Sequence, residues 1–307
     1  MRPKTLLAKV VVGPALAFAL AASGCATSTV RTAAPAPPAP PAEPAMWVVR
    51  DADSTIYLFG TVHVMKPGTV WKTPRVQAAL TSAEELVLEI EEVDDPNAMA
   101  PVIQRYGLDL TRPLSSRLTE AERAKLGKAA AAMGANAAAF EPMRPWLVSL
   151  QLVVGSLMKA GYDPNMGVDR LLKAAAVQSG QKVTAFETVE QQMRFFAELP
   201  PEVEMELFRQ SLEDFDEGAA VFDPLADGWA RGDLSVLERY LVTEWKAEAP
   251  DLYRVLIVQR NQDWARQIEA RLKGKGVSFI AVGAGHLVGP DSVQRQLEAR
   301  GIRSARY

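Results

Sequence analysis

The segment Ile56-Tyr57-Leu58-Phe59-Gly60-Thr61-Val62-His63 joins an apolar run to a glycine and, three residues later, to a histidine. The same order recurs in Val277-Ser278-Phe279-Ile280-Ala281-Val282-Gly283-Ala284-Gly285-His286, and the chain has only these two histidines. A short apolar run is typical of a buried β-strand, and glycine permits the close approach needed where such a strand ends. α/β folds place reactive side chains at the carboxyl ends of their strands. The paired motif therefore predicts an α/β fold with one site that contains both histidines.

The other apolar and amphipathic patterns lie on both sides of these motifs. Further strand-like runs occur at residues 47–50, 85–90, 182–186 and 302–305, and helical patterns cover 74–83, 96–106, 119–133, 145–159, 168–179, most of 189–272 and 291–300. The polar turn Asp51-Ala52-Asp53-Ser54 makes the first two strands a β-hairpin. We predict an α/β (α+β) fold, in which N- and C-terminal segments form a mixed central β-sheet with a large helical insert between them.

Residues 1–24 have the order of a bacterial lipoprotein signal peptide. A basic start precedes an apolar stretch that is shorter than the roughly 20 residues needed to span a bilayer. Cys25 is the only cysteine, so an intramolecular disulfide is impossible. Its place after Ser23-Gly24 resembles the lipobox, in which the cysteine is lipidated. An ordinary signal peptide that contains a cysteine by chance is the alternative.

The next segment, residues 25–45, is rich in proline and alanine and is predicted to be an extended tether. It leads to a single domain at residues 46–307. Several acyl chains on Cys25 would hold this domain stably at a membrane. The position after the cysteine is Ala26 and not aspartate, a pattern that resembles lipoproteins sorted to the outer membrane of Gram-negative bacteria. We therefore expect a lipid-anchored protein of the bacterial cell envelope, on the outer membrane and facing the periplasm.

The charge balance argues against a nucleic-acid partner. The chain has 34 basic and 37 acidic residues, a net charge of −3. Removal of the signal peptide with Arg2, Lys4 and Lys9 leaves 31 basic residues, or a net charge of −6. A nucleic-acid surface would need a clustered basic excess, which the sequence does not contain.

A third candidate accompanies the two histidines. Two neutral imidazoles and a carboxylate are a common site for a divalent transition metal. Glu89 ends the apolar run Leu86-Val87-Leu88 and, by strand alternation, lies on the opposite face from Leu86 and Leu88. We predict that His63, Glu89 and His286 bind Mn²⁺, Co²⁺ or Zn²⁺. The alternatives are that Glu89 belongs to the solvated acidic run 89–95 and that each histidine is only structural.

Four further residues are candidates for substrate binding. Arg260 and Asn261 lie among apolar positions of a helix, and Arg260 could steer a substrate carboxylate, stabilise an oxyanion or pair with Glu89. Asp169 stands at a predicted helix start, where it could instead stabilise the helix dipole. Glu187 ends a strand and could equally cap the next helix.

Several segments together resemble the TraB/GumN family. They are Tyr57-Leu58-Phe59-Gly60-Thr61-Val62-His63, Leu86-Val87-Leu88-Glu89, Gly167-Val168-Asp169, Phe186-Glu187-Thr188, Arg260-Asn261-Gln262-Asp263-Trp264 and Val282-Gly283-Ala284-Gly285-His286-Leu287-Val288-Gly289. This family is related to the Tiki metalloproteases and, more distantly, to the ChaN haem-binding lipoproteins and erythromycin esterases. The resemblance implies a domain with paired Gly-x-x-His motifs and a characteristic acidic residue, at the positions of His63, Glu89 and His286.

These observations lead to three hypotheses about function. The first is a metal-dependent hydrolase that cleaves a peptide or protein substrate, with Glu89 as the third metal ligand or the general base. The second is a binding protein of the ChaN type that holds haem or iron in the same cleft without catalysis. The third is an esterase-like, metal-independent hydrolase in which His63 is the general base for water.

Overall fold

The two glycine–histidine motifs follow neighbouring strands of one six-stranded sheet. The computed structural model describes residues 43–92 and 95–307, apart from the side chain of Val221. The predicted signal peptide, Cys25 and the tether up to residue 42 lie outside the described residues. The last part of the predicted tether is packed against the domain, because Glu43 pairs with Arg75 at 2.9 Å and Ala45 is buried.

The sheet is mixed and is built from both ends of the chain. Its strands are β1 (Met46–Arg50), β2 (Ser54–Thr61), β3 (Glu85–Ile90), β4 (Lys182–Glu187), β5 (Gly276–Gly283) and β6 (Ser304–Arg306). They lie side by side in the order β4-β3-β5-β2-β1-β6. The strands β4, β3, β5 and β2 are parallel, whereas β1 is antiparallel to both β2 and β6. The predicted α/β fold with a mixed central sheet is confirmed.

Helices fill most of the chain between β3 and β5. The α-helices are α1 (Pro74–Ser82), α2 (Pro96–Tyr106), α3 (Glu120–Ala132), α4 (Pro145–Lys159), α5 (Val168–Gln178), α6 (Val189–Ala197), α7 (Pro201–Glu213), α8 (Gly218–Ala230), α9 (Leu234–Glu238), α10 (Glu244–Glu248), α11 (Pro250–Tyr253), α12 (Arg260–Leu272) and α13 (Val293–Glu298). Two π-helical segments, Arg239–Thr243 and Arg254–Gln259, join α9 to α10 and α11 to α12. Local chemistry sets several helix starts. Thr119 and Glu122 form a capping box at α3, and Thr188 and Gln191 form another at α6.

The end of the chain differs from the sequence prediction in its boundaries. The predicted helix 291–300 is shorter, and the predicted strand 302–305 begins two residues later, at Ser304. Gly301 adopts a positive φ of 79°, and the amide of Ile302 donates to the carbonyl of Leu297. This turn reverses the chain after α13 and uses residues that the apolar pattern assigns to the strand.

The sheet is covered on both faces. Helix α5 packs on one face with Val168 and Leu172, which share a large apolar core with Phe59 of β2. Helix α12 packs on the other face, where Trp264 and Ile268 join a second core. Burial of such side chains stabilises the fold by roughly 1.5–3 kcal/mol each. The parallel strands therefore end at an edge that receives side chains from helices on both faces.

Candidate functional site

The two histidine turns meet at the carboxyl edge of the sheet. Strands β2 and β5 are parallel, with Gly60 opposite Val282. A Cβ on Gly60 would lie only 3.1 Å from the Cα of Ala284, so glycine lets the two turns pack closely without displacing each other. His63 and His286 follow these turns and are 4% and 1% exposed. The predicted meeting of two motifs that are far apart in sequence is therefore observed.

His63 is held by the start of helix α5. Its Nδ1 lies 2.9 Å from Oδ1 of the buried Asp169. Because a carboxylate can only accept, Nδ1 carries the proton. The amide of Val168 donates to the carbonyl of Val62, and a Cβ on Gly167 would stand 2.5 Å from the carbonyl oxygen of His63. The segment Gly167-Val168-Asp169 is thus shaped to bring a carboxylate against this imidazole.

His286 is held by an amide from helix α12. Its Nδ1 lies 2.6 Å from Oδ1 of Asn261, whose Nδ2 donates to the carbonyl of Asp291. The Asn261 amide orientation makes Oδ1 the acceptor, so Nδ1 of His286 is protonated and Nε2 carries the lone pair. Burial, reinforced by the nearby Arg260 guanidinium, lowers the pKa of His286 to about 3. The ring is therefore neutral at physiological pH.

Glu89 lies between these two turns and is 6% exposed. Its Oε1 accepts from the amide of Gly283 at 2.7 Å, and its Oε2 accepts from Nη2 of Arg260 at 2.6 Å. Burial opposes ionisation, but Arg260, the two histidines and the Gly283 amide outweigh it and lower the pKa of Glu89 to about 2. The Nε2 of His286 stands 3.8 Å from Oε1 of Glu89. Glu89 is thus a buried carboxylate of the site and does not belong to the exposed acidic run.

Arg260 is the counter-ion of the site. Its guanidinium donates to Glu89 and twice to Glu187, with Nε and Nη2 each 2.9 Å from a Glu187 oxygen. Its Nη1 donates to the carbonyl of Leu256 and to Nε2 of His286, each at 3.2 Å. Burial acts against the charge, yet Glu187 and Glu89 raise the pKa of Arg260 above its usual value. All five N–H groups of the guanidinium are engaged, so in this conformation it pairs with Glu89 and offers no donor to a substrate.

Comparison of the sequence with known proteins identifies the family of the chain. A sequence model of the TraB/PrgY/gumN family matches residues 45–306. The chain belongs to the TraB/PrgY/gumN family. It is also similar to an uncharacterized protein of Treponema pallidum (strain Nichols), with 24% identity over 285 residues, which cover 88% of this chain and 84% of that protein. No solved structure matches the chain.

The TraB/PrgY/gumN domain also places Gln192 in the site, a residue that sequence reasoning missed. Its Nε2 donates to Glu89 at 3.2 Å and to Glu187 at 2.9 Å, and its Oε1 is buried with no partner within the described residues. A signal was present, because Gln192 occupies the apolar face of α6 together with Val189 and Phe196. A glutamine at a core position of an amphipathic helix indicates a buried polar partner.

The four residues proposed for substrate binding surround the three proposed ligands. Asp169 and Asn261 contact the two histidines, and Arg260 and Glu187 form one buried ion-pair cluster with Glu89. The two glutamates and one arginine of that cluster leave one excess negative charge. Within residues 43–92 and 95–307, no three His, Cys, Asp or Glu side chains are positioned as they stand to hold a metal ion.

Proposed function

We propose that this TraB/PrgY/gumN-family chain is a divalent-metal-dependent hydrolase that cleaves peptide bonds, with His63, Glu89 and His286 as its metal ligands. The observation that carries the proposal is the pair His286 and Glu89: Nε2 of a neutral imidazole, which accepts from Arg260, lies 3.8 Å from an ionised carboxylate. Metal-binding histidines usually have their other ring nitrogen fixed by a carboxylate or amide partner. Asp169 and Asn261 supply those partners here.

The chemistry of these donors fits a divalent cation. Metal–ligand bonds to histidine nitrogen and carboxylate oxygen are about 2.0–2.2 Å, so a 3.8 Å separation is compatible with one shared ion. The excess negative charge of Glu89 and Glu187 over Arg260 also favours a cation in this buried region. Such a metal, when bound, would polarise a substrate carbonyl and lower the pKa of a bound water.

The protein residues would divide the remaining work. A carboxylate with a pKa of about 2 holds a proton weakly, which favours Glu89 as a ligand over Glu89 as the general base. Asp169 fixes the ring of His63, and Asn261 fixes that of His286. Arg260 keeps Glu89 ionised and in place through their 2.6 Å hydrogen bond. Substrate binding by Arg260 would require the guanidinium to leave one of its present partners.

A second candidate is a metal-independent hydrolase, and one contact favours it. Nη1 of Arg260 lies 3.2 Å from Nε2 of His286, so a positive charge already stands beside the lone pair that a metal would take. Arg260 would then stabilise the oxyanion that develops on the substrate. His63, oriented by Asp169, would be the general base for water, as in other histidine–carboxylate pairs.

Peptide-library cleavage by the purified full chain tests both candidates. We expect cleavage with added Mn²⁺, Co²⁺ or Zn²⁺, its loss in EDTA, and its loss in His63→Ala and Glu89→Ala. Arg112→Ala, which removes an exposed arginine paired with Asp109, is the matched control and should be fully active. Cleavage that EDTA leaves intact would support the second candidate. Equal cleavage by the wild type and His63→Ala would contradict both.

We also propose that Cys25 is lipidated and anchors the domain to the outer membrane, facing the periplasm. The proposal rests on the sequence Ser23-Gly24-Cys25 after a basic and apolar start. Labelled palmitate should enter the wild-type chain but not Cys25→Ser, and only the wild type should sediment with outer membranes. Equal sedimentation and no label in either chain would refute the anchor.

A further inference from the structure

A cavity lies at the β6 edge of the sheet, beside the segment that follows His286. It has a volume of about 380 Å³ and is bordered by β6, helix α13 and residues 287–289. Cavities of this size hold small molecules or large polar groups. The side chains of His63, Glu89 and Arg260 do not border it. It is therefore separate from the histidine–glutamate centre, although Leu287 follows His286 directly.

Two exposed arginines, Arg303 and Arg306, border this cavity. Within the described part of the chain, neither Arg303 nor Arg306 forms an ion pair or a side-chain hydrogen bond. Most other arginines differ: Arg295, which also borders the cavity, donates to Glu298 at 2.6 Å. Glu238 is the other acid at the cavity. After the Arg295–Glu298 pair is set aside, two guanidiniums face one carboxylate.

An aromatic ring fixes the position of the Arg306 guanidinium. Its guanidinium lies over the ring of Trp47, 4.8 Å from the ring centroid. Burial and the neighbouring Arg75 lower the pKa of Arg306, although Glu43 acts in the opposite direction. Stacking on Trp47 leaves the edge of the guanidinium, where the N–H groups are, free to donate.

Hydroxyl groups and an amide oxygen without hydrogen-bond partners among the described residues also border the cavity. Ser292 and Ser304 border the cavity, and neither hydroxyl has a hydrogen-bond partner among the described residues. Gln294 donates to the carbonyl of Leu287 at 3.0 Å, and its buried Oε1 receives no hydrogen bond from residues 43–92 or 95–307. A hydroxyl can donate to an anion, and an unpaired buried acceptor indicates a ligand or water that carries a hydrogen.

We propose that this cavity binds an anionic group, a phosphate or a carboxylate, through Arg303 and Arg306. Guanidinium groups bind such oxyanions through paired, charge-assisted hydrogen bonds. The serine hydroxyls add donors, and Oε1 of Gln294 accepts from a protonated oxygen or an N–H group on the same ligand. The anion can come from a soluble molecule or from a phospholipid head group, because both present the same phosphate oxygens.

Titration of the purified full chain with inorganic phosphate tests the site. We expect binding by isothermal calorimetry that weakens at least about tenfold in Arg303→Ala and in Arg306→Ala, as loss of a hydrogen bond to a charged group predicts. Arg266→Ala removes the same charge at a distant, paired position and should bind as the wild type does. No phosphate binding, or equal weakening by Arg266→Ala, overturns the proposal. Arg303→Lys and Arg306→Lys are the conservative variants, which keep the positive charge that alanine removes. Circular dichroism checks that each variant is folded.

Binding to lipid vesicles distinguishes a soluble anion from a phospholipid head group. On a Cys25→Ser background, binding to phosphatidylglycerol vesicles is compared with binding to phosphatidylcholine vesicles. If Arg303→Ala and Arg306→Ala reduce the phosphatidylglycerol signal more than Arg266→Ala does, the ligand is a head group. If they reduce phosphate binding alone, the ligand is a soluble anion.

Discussion

The turns after β2 and β5 have the same Gly-x-x-His motif but give their histidines different surroundings. His63 is held by a carboxylate, Asp169, from helix α5 on one face of the sheet. His286 is held by an amide, Asn261, from helix α12 on the opposite face. A carboxylate partner stabilises a positive imidazole, whereas an amide does not. The His286 turn therefore leaves its ring without an acidic partner on Nδ1, which agrees with the lowered pKa of His286.

Arg260 is the largest difference between the two turns, since it contacts His286 and Glu89 directly. We expect Arg260→Met to lower the free energy of unfolding by about 3–5 kcal/mol, because it leaves two buried carboxylates without their counter-ion. Urea denaturation of the variant and of Arg266→Ala measures the effect, and the control should change by less than about 1 kcal/mol. Similar losses of stability in both variants would show that Arg260 does not stabilise the fold as the counter-ion of the two carboxylates.

The neutral state of His286 should appear in the pH dependence of stability. Its pKa is about 3 in the folded chain against a usual value of 6.5, so below pH 6.5 the unfolded state binds a proton that the folded state does not. Stability should therefore fall by about 1.4 kcal/mol per pH unit from pH 6.5 to 4.5 through this group. Glu89 adds a further loss only below its unfolded value of 4.5. Denaturation of the wild type and of His286→Gln should differ in slope, and parallel curves would argue against a neutral buried ring.

The glycines beside the two histidines should respond differently to alanine. A Cβ on Gly167 would stand 2.5 Å from the carbonyl oxygen of His63, whereas a Cβ on Gly285 would meet Leu241 at an ordinary 3.5 Å. Gly167→Ala should cost about 1–3 kcal/mol through forced movement of the His63 turn. Gly285→Ala is the matched control and should cost less than about 1 kcal/mol. Thermal denaturation of both variants measures the two losses of stability. A larger loss in Gly285→Ala than in Gly167→Ala would contradict this prediction.

Gln192 should make the smallest contribution. Gln192→Met removes two hydrogen bonds to Glu89 and Glu187 but also removes the unpaired Oε1. These effects oppose each other, so we expect a change of about 1 kcal/mol in the free energy of unfolding. A loss above about 3 kcal/mol would place Gln192 on a level with Arg260 and would require a larger role for it in holding the two carboxylates.

Much of the fold follows from the sequence because its strands are short and apolar and its helices begin at strong caps. The strand at Glu85–Ile90 and the helix at Pro96–Tyr106 have the predicted boundaries. The meeting of His63 and His286 was also predictable, because parallel strands end at one edge of a sheet. Glu89 was a candidate because it ends an apolar run and alternates with Leu86 and Leu88, and the family resemblance implies the same residue.

The partners of these residues could not be predicted in the same way. Asp169 and Asn261 were candidates for substrate contact, yet they contact the histidines because α5 and α12 pack on opposite faces of the sheet. Sequence periodicity shows which side of a helix is buried but not which sheet face it covers. The place of Gln192 on the apolar face of α6 indicates a buried polar partner, but it does not identify the two glutamates of other elements that the amide reaches. A substrate-binding role for Asp169, Asn261, Arg260 and Glu187 stays a prediction.

A Zn²⁺ titration followed by ¹⁵N NMR of the two imidazoles tests the central claim that His63, Glu89 and His286 form one metal site. Before metal is added, His286 should be neutral, with its proton on Nδ1, down to pH 4.5. One equivalent of Zn²⁺ should then shift Nε2 of both histidines together, and Glu89→Gln should abolish the shift. The claim would be contradicted if saturating Zn²⁺ left both resonances in place or moved only one of them.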